Sequence, residues 1–446
     1  MTADTAAAAE PWYRSLNRSQ WNTLLASNLG WLFDGYEVYA VILALDTALH
    51  QLLDPSAVPQ LRSYFGIVIA TTLLGWGVGG LIGGVMADYI GRKRTMMLAI
   101  LAYAVMTGIS ALAWSWESFA VLRFLVGVAI GSEWATGTSI TAELWPDKAR
   151  GRGAGLMQCG LGIGFFMASF VWYFVGSHGP NSWRYMFLIG VIPAFATLWM
   201  RRGIPESPVW EETNRRRQAA VERKRSGQAL DAADHALTRF TMHELFADPK
   251  VRVRLIITFL MSLTTTLAWW GISTFVPIYI GVVAAKAHLA AQSWQAYAGM
   301  WYNVGAIIGY ISLGFFADIF GRKPVTLLFF AVSLVMTPVL FLWTHDLTLL
   351  LVVAAVNGFF TLGQYSWMPV WLPELFPTRV RATGVAFAFN TPRFVAFLGP
   401  LFVPVLIAKF GGIGPAAVWI SVIYVVGFLA TLALPETRGK PLPEDI

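Results

Sequence analysis

Long apolar runs alternate with short polar ones over the whole chain. Nearly uncharged stretches occupy residues 21–46, 65–87, 95–116, 118–142, 153–177 and 185–200, and then 255–285, 289–317, 324–344, 347–373, 382–408 and 410–435. A helix rises about 1.5 Å per residue, so runs of this length cross, or nearly cross, a hydrocarbon core about 30 Å thick. The pattern predicts an all-α membrane protein with twelve transmembrane helices in two six-helix halves. Between the sixth and seventh runs lies a long polar stretch with the basic clusters 215–217 and 223–225, read as a solvated cytoplasmic loop. The predicted division is a cytoplasmic N-terminus at 1–20, a first half at 21–200, a linker at 201–254, a second half at 255–435 and a cytoplasmic tail at 436–446.

Composition agrees with the pattern. The 446 residues are 56% hydrophobic and only 13% charged, about half the share usual in a soluble domain. The net charge of +7 raises the question of nucleic acid, but its placement answers it. Arg14 and Arg18 precede span 1, Arg92–Arg94 follow span 2, and Lys148, Arg150 and Arg152 follow span 4. Arg322 and Lys323 follow span 8, and Arg379 and Arg381 follow span 10, whereas the alternate loops are poor in basic residues. The charge is thus a topology signal that sets both termini in the cytoplasm, with the lipid bilayer and no nucleic acid as partner. The first ten residues have neither the basic flank nor the apolar core of a cleaved signal peptide. Cys159 lies within a span and is expected to pack. All histidines fall outside the apolar runs, and no Gly-Lys-Ser/Thr motif or Cys/His cluster occurs. No enzyme activity, metal or cofactor is expected.

The two halves repeat each other. Gly84-Val-Met-Ala-Asp88-Tyr-Ile-Gly91-Arg92-Lys93 recurs as Gly314-Phe-Phe-Ala-Asp318-Ile-Phe-Gly321-Arg322-Lys323, offset by 230 residues. Glu143-Leu-Trp-Pro146 recurs as Glu374-Leu-Phe-Pro377, offset by 231, and Pro205-Glu206 recurs as Pro435-Glu436, offset by 230. Three nearly equal offsets indicate a duplicated six-helix unit with a site between the copies.

Charges inside the apolar runs are the candidate chemistry, because each is costly at that depth. Asp34 and Glu37 in span 1 share one helix face, with Gly35 between them. In span 4, Arg123, Gly127 and Gly131 form an i, i+4 ridge that allows close helix approach. Arg123 lies about 8 Å below the outer end of its span, and Glu37 about 24 Å from the inner end of span 1. They share a level and can pair. Glu133 lies roughly 15 Å deeper and needs another partner or a proton. Arg393, about 17 Å into span 11, sits near the bilayer middle, where a guanidinium suits a carboxylate ligand or pairs with an acid across the bundle. Pro392, Pro400 and Pro404 in that span predict helix breaks.

On the two Gly-xxx-Asp-xx-Gly-Arg-Lys loops, Pro205-Glu-Ser-Pro208 and Pro435-Glu-Thr-Arg-Gly-Lys440, the chain resembles the major facilitator superfamily, and its sugar-porter-like branch, along nearly its whole length. The resemblance implies a cytoplasmic gate built on Gly84, Asp88, Gly91, Arg92, Asp318, Gly321 and Arg322, although Tyr89 and Ile319 replace residues often basic in the family. Asp34-Gly-Tyr-Glu37 resembles the signature of aromatic acid:proton symporters, and Gly131-Ser-Glu133 that of metabolite:proton symporters. These likenesses imply Asp34, Glu37 and Glu133 as proton-coupling acids, with Arg123 as switch partner.

Candidate substrate contacts are Arg393, Gln158, Trp270, Tyr302, Asn303, Gln364 and Trp367, beside further polar or aromatic residues such as Trp269, Trp301 and Tyr365. Gln158 stands where sugar porters place a sugar-binding Gln, but span 7 has threonines and tryptophans where those proteins have paired Gln. The favoured reading is a monomeric, proton-coupled importer of a small organic anion, aromatic or another carboxylate, in a bacterial inner membrane. A sugar or polyol symporter, an organic-cation carrier and a non-transporting nutrient sensor are the alternatives.

Overall fold

The computed structural model describes residues 12–176, 178–201 and 204–444. The predicted N-terminus (1–20), linker and tail therefore lie partly outside the described residues. Span 1 is Arg18–Leu52, span 2 Leu61–Ile90, span 3 Arg92–Ser110, span 4 Trp116–Leu144, span 5 Arg150–Val175 and span 6 Ser182–Arg201. Eight described helices are long and apolar enough to cross a membrane by composition alone. The remaining spans are 1, 3, 6 and 11, and the reasons are chemical. Span 1 carries Asp34, Glu37 and Asp46, span 3 begins on three basic residues, and span 11 is broken. In span 6, Ser182–Ile192 forms a shorter apolar helix.

In the first half the spans are continuous helices. A capping box of Asn17 and Gln20 starts span 1, and one of Ser115 and Ser118 starts span 4. Spans 2 and 4 run backbone against backbone. A Cβ added at Gly131 would strike the Trp76 carbonyl, and one at Gly79 the Val128 carbonyl. In a bilayer, where lipid is as apolar as leucine, such close approach is what holds helices together.

The second half is less regular. Span 7 runs Pro249–Ala268, passes through a π turn at Trp269–Ser273 and resumes as Phe275–Lys286. Spans 8 and 9 are Ala291–Phe320 and Arg322–Pro338, the latter extended by a π turn at Val339–Trp343. Span 10 is Leu347–Thr361 and Trp367–Leu375, joined by a 3-10 turn at Gly363–Ser366. Span 11 comes in three pieces, Arg381–Asn390, Arg393–Ala396 and Gly399–Phe410, and span 12 is Ile413–Ser421 and Tyr424–Ala433. The breaks in span 11 fall at Pro392 and just before Pro400. Pro404, expected to break the helix too, lies inside a continuous segment. A proline removes one backbone hydrogen bond, and a membrane helix tolerates that.

Between the halves, span 2 packs on span 11 and span 8 on span 5, as the duplication requires. The linker, read from its charge as a solvated loop, contains the helices Pro208–Arg225, Ala232–Thr238 and Thr241–Ala247. Its Arg217 is buried and donates to the carbonyls of Asp88 (2.5 Å) and Arg379 (2.9 Å) while lying over the Tyr89 ring. The basic run thus includes a residue that ties the linker to both halves, which composition could not reveal.

Candidate functional site

The basic face is built twice from the repeated motifs. In the first half Asp88 pairs with Arg92 (3.0 Å), and Arg92 with Glu143 (3.1 Å). In the second, Asp318 pairs with Arg322 (2.8 Å), and Arg322 with Glu374 (2.7 Å). Each acid then crosses to the other half. Glu143 binds Arg381 (2.8 Å) and Glu374 binds Arg150 (3.0 Å). Asp88 accepts from the Thr383 backbone N–H (2.9 Å) and hydroxyl (2.6 Å) at the start of span 11. Asp318 accepts from the N–H groups of Gly151 (3.1 Å) and Arg152 (2.9 Å) at the start of span 5. A carboxylate over a helix N-terminus satisfies N–H groups that lack intrahelical partners.

Gly91 and Gly321, at φ 105° and 107°, make the sharp turns into spans 3 and 9. The glutamates of the repeated Pro-Glu pairs cap those spans. Glu206 accepts from the N–H groups of Arg92 and Lys93, and Glu436 from those of Arg322 and Lys323. Burial pushes the Glu436 carboxyl up, but these donors, with the N–H groups of Arg438 and Thr437, outweigh it and hold the group below its ordinary value. Gly84 contributes closeness, since a Cβ there would meet Ala386 of span 11.

Within the membrane, Glu37 and Arg123 form an ion pair, both fully buried. Arg123 also donates to the Ser110 hydroxyl and lies over Phe187 (4.6 Å) and Phe119 (5.4 Å). Asp34 and Glu133 are buried in the same half, and neither lines a described cavity. Two narrow cavities adjoin at this level. One reaches Glu37 and Arg123 along Val38, Val41, Thr72 and Trp76. The other lies between the halves, walled by Trp31, Trp76, Leu161, Phe165, Trp269, Trp270, Tyr365 and Arg393. Its second-half wall comes from the π turn of span 7, the 3-10 turn of span 10 and the short middle piece of span 11. Non-α backbone in a membrane belongs where it is buried in protein or faces a cavity.

Arg393 is 2% exposed and forms no ion pair among the described residues. Its Nη1 donates to the Phe389 carbonyl one turn earlier, and its Nε has no partner. The guanidinium is held 4.2 Å from the centres of both Trp76 and Phe389. On the side toward the basic face, Trp134 of span 4 stacks on Phe389 of span 11 at 3.5 Å and 16°, closing the space between the halves.

Of the seven candidate contacts, Arg393 and Trp270 line the cavity between the halves. The other five do not line it, each having closer neighbours within the protein. Gln158 faces the Trp134 indole (3.5 Å), Tyr302 bonds Ser273 (2.8 Å) and Asn303 donates to the Gly299 carbonyl (2.9 Å). Gln364 donates to the Thr361 carbonyl (2.9 Å) and Trp367 to the Thr265 hydroxyl (3.0 Å). Trp301 is 52% exposed on the outside of span 8. The sequence reading missed Trp31, Trp76 and Phe389. Their only signal was an aromatic residue at the depth of a buried charge.

Two duplicated six-helix halves, sealed on one face by paired acid and base motifs, with a cavity between them, define a major facilitator superfamily transporter. The chain belongs to the sugar (and other) transporter family, whose model matches residues 23–444. It is 26% identical to the sialic acid transporter NanX of Escherichia coli, covering 96% of each chain. It is also 26% identical to the cis,cis-muconate transport protein of Acinetobacter baylyi, covering 84% of this chain and 86% of that one. A structure of the proton:xylose symporter XylE superposes with a TM-score of 0.75 at 22% identity, covering 95% of this chain and 98% of the other. This is a transporter and not an enzyme.

Proposed function

We propose that the chain carries a small organic anion, a carboxylate with an aromatic or otherwise unsaturated body, into the cell together with protons. One observation carries the reading. Arg393 is a buried guanidinium at the meeting of the two halves, with no carboxylate among the described residues opposite it and aromatic rings around it. A lone buried charge is costly, and a carboxylate ligand supplies what it lacks. Two relatives are named for carboxylates, sialic acid and cis,cis-muconate, which supports the same class.

The proton side of the proposal rests on Glu37 and Arg123, with Asp34 and Glu133 as further sites. Rocking the halves exposes the Glu37–Arg123 pair to water in one state and buries it in another. A carboxylate's proton affinity rises with burial and falls beside an arginine, so changing the pairing couples proton to substrate. The basic face is proposed to be cytoplasmic by the positive-inside rule, as part of a multi-pass inner-membrane protein. One chain supplies both halves of the site, so the proposed working unit is a monomer.

The test is uptake into proteoliposomes under an inward proton gradient. Radiolabelled aromatic or unsaturated carboxylates are expected to accumulate. Arg393→Ala should abolish their binding, and Glu37→Gln should abolish accumulation while leaving binding. Accumulation of sugars or amines alone, or carboxylate binding unchanged in Arg393→Ala, would overturn the proposal.

A further inference from the structure

The cavity beside Arg393 is notable for which polar atoms lack partners. Trp31, Trp76 and Trp269 are each more than nine-tenths buried, and the indole N–H of each has no hydrogen-bond partner among the described residues. The Nε of Arg393 is in the same condition. All four residues wall one cavity, and they come from spans 1, 2, 7 and 11, so both halves contribute. Ring packing restrains the indoles. Trp31 meets Trp76 edge to face at 6.3 Å, Trp269 meets Trp270 at 4.5 Å, and Trp76 covers the Arg393 guanidinium.

An indole and a guanidinium donate and never accept. Apart from the Tyr365 hydroxyl, the remaining side chains of the wall are apolar or aromatic and offer no carboxylate or amide. A sugar or polyol presents several O–H donors, and this wall has almost nothing to receive them. A ligand that only accepts suits the unpartnered donors that residues of this wall carry. Buried donors without partners are costly wherever they occur, and four around one cavity point to a ligand that completes them.

We propose that this cavity takes a flat carboxylate bearing a second group that accepts hydrogen bonds without donating, such as a carbonyl, lactone or ring nitrogen. The anionic head sits on Arg393, and the second acceptor is held by the indole N–H groups of Trp31, Trp76 and Trp269. This rests on the anion reading above and adds the substrate's second recognition point.

Calorimetric binding to the purified full-length protein tests it with two acids of nearly equal shape, 4-acetylbenzoate and 4-isopropylbenzoate. Only the first carries an acceptor at the far end. The acetyl acid should bind about tenfold tighter, the gain of a hydrogen bond to a donor otherwise left unmade. Trp31→Phe, Trp76→Phe and Trp269→Phe each keep a ring and remove an N–H. At least one should bring the two affinities together by weakening the acetyl acid more than the isopropyl acid, and Arg393→Ala should abolish binding of both. Equal affinities in the unmodified protein, with binding still dependent on Arg393, would overturn this inference and leave the anion reading standing. So would a preference that survives in all three tryptophan variants. Binding of neither acid, or binding indifferent to Arg393→Ala, would overturn both.

Discussion

The basic face and the membrane centre treat charge in opposite ways. On the basic face the motifs occur twice, and Asp88, Glu143, Asp318 and Glu374 each meet a guanidinium of their own half and then a group of the other half. At the centre the halves diverge. The first places Arg123 against Glu37, whereas the second leaves Arg393 against aromatic rings. Saturation suits a seal, which must hold alone and part as a unit. An unmatched charge suits a site, because its missing partner can arrive from outside. The backbone divides along the same line: both halves pack spans closely through glycine, but the first keeps its spans continuous while the second brings broken segments to the cavity.

Removing an acid from the seal should have the largest effect. Glu374→Ala leaves Arg322 and Arg150 facing each other without the carboxylate both bind, and loss of one partner from a buried pair costs about 3–5 kcal/mol. Its repeat, Glu143→Ala, should lower thermal stability by a similar amount. A large difference between the two would mean that the duplication is of sequence and not of energetics. At the centre the sign should reverse. Arg393→Met replaces an unmatched buried charge with an apolar side chain, and the ligand-free protein should be as stable as before or up to about 1–4 kcal/mol more so. Destabilisation there would show that Arg393 belongs to the scaffold.

Smaller effects sharpen the boundary between seal and site. Phe389→Ala removes a stack worth about 0.5–1.5 kcal/mol beyond its buried area. It should raise labelling from the basic face of a cysteine placed in the cavity, measured in a Cys159→Ala background. The smallest effect is with pH. Glu436 has its carboxyl held below the ordinary value of 4.5, so its cap on span 9 is fully present above that value and is lost as pH falls through the lower, folded one. Thermal stability followed downward from pH 6 should show a step that Glu436→Gln removes.

Some of this was legible in the residues. Hydropathy marks twelve runs because a bilayer demands about twenty apolar residues from any helix that crosses it. The offsets near 230 expose the duplication, and matching depths put Glu37 beside Arg123. Neutral residues were harder to place. Gln158, Tyr302, Asn303, Gln364 and Trp367 were sound candidates by polarity and depth, yet the rotation of their helices turns them to neighbours within the protein. In the linker the charge run does not disclose that Arg217 is buried while Arg215 and Arg216 beside it stay exposed.

The sequence alone determined the membrane, the spans, the repeat and the level at which charges lie, since each follows from the local cost of placing a residue in lipid. Which residues meet was decided only in three dimensions. Glu206 and Glu436 cap helices that begin 114 residues earlier, and Asp88 reaches Thr383 across 295. Trp31, Trp76, Trp269 and Arg393 converge on one cavity from four helices. Depth is written along the chain because hydrophobic cost is additive and local. Convergence depends on helix rotation and on where one half rests against the other, which no stretch of the chain carries by itself.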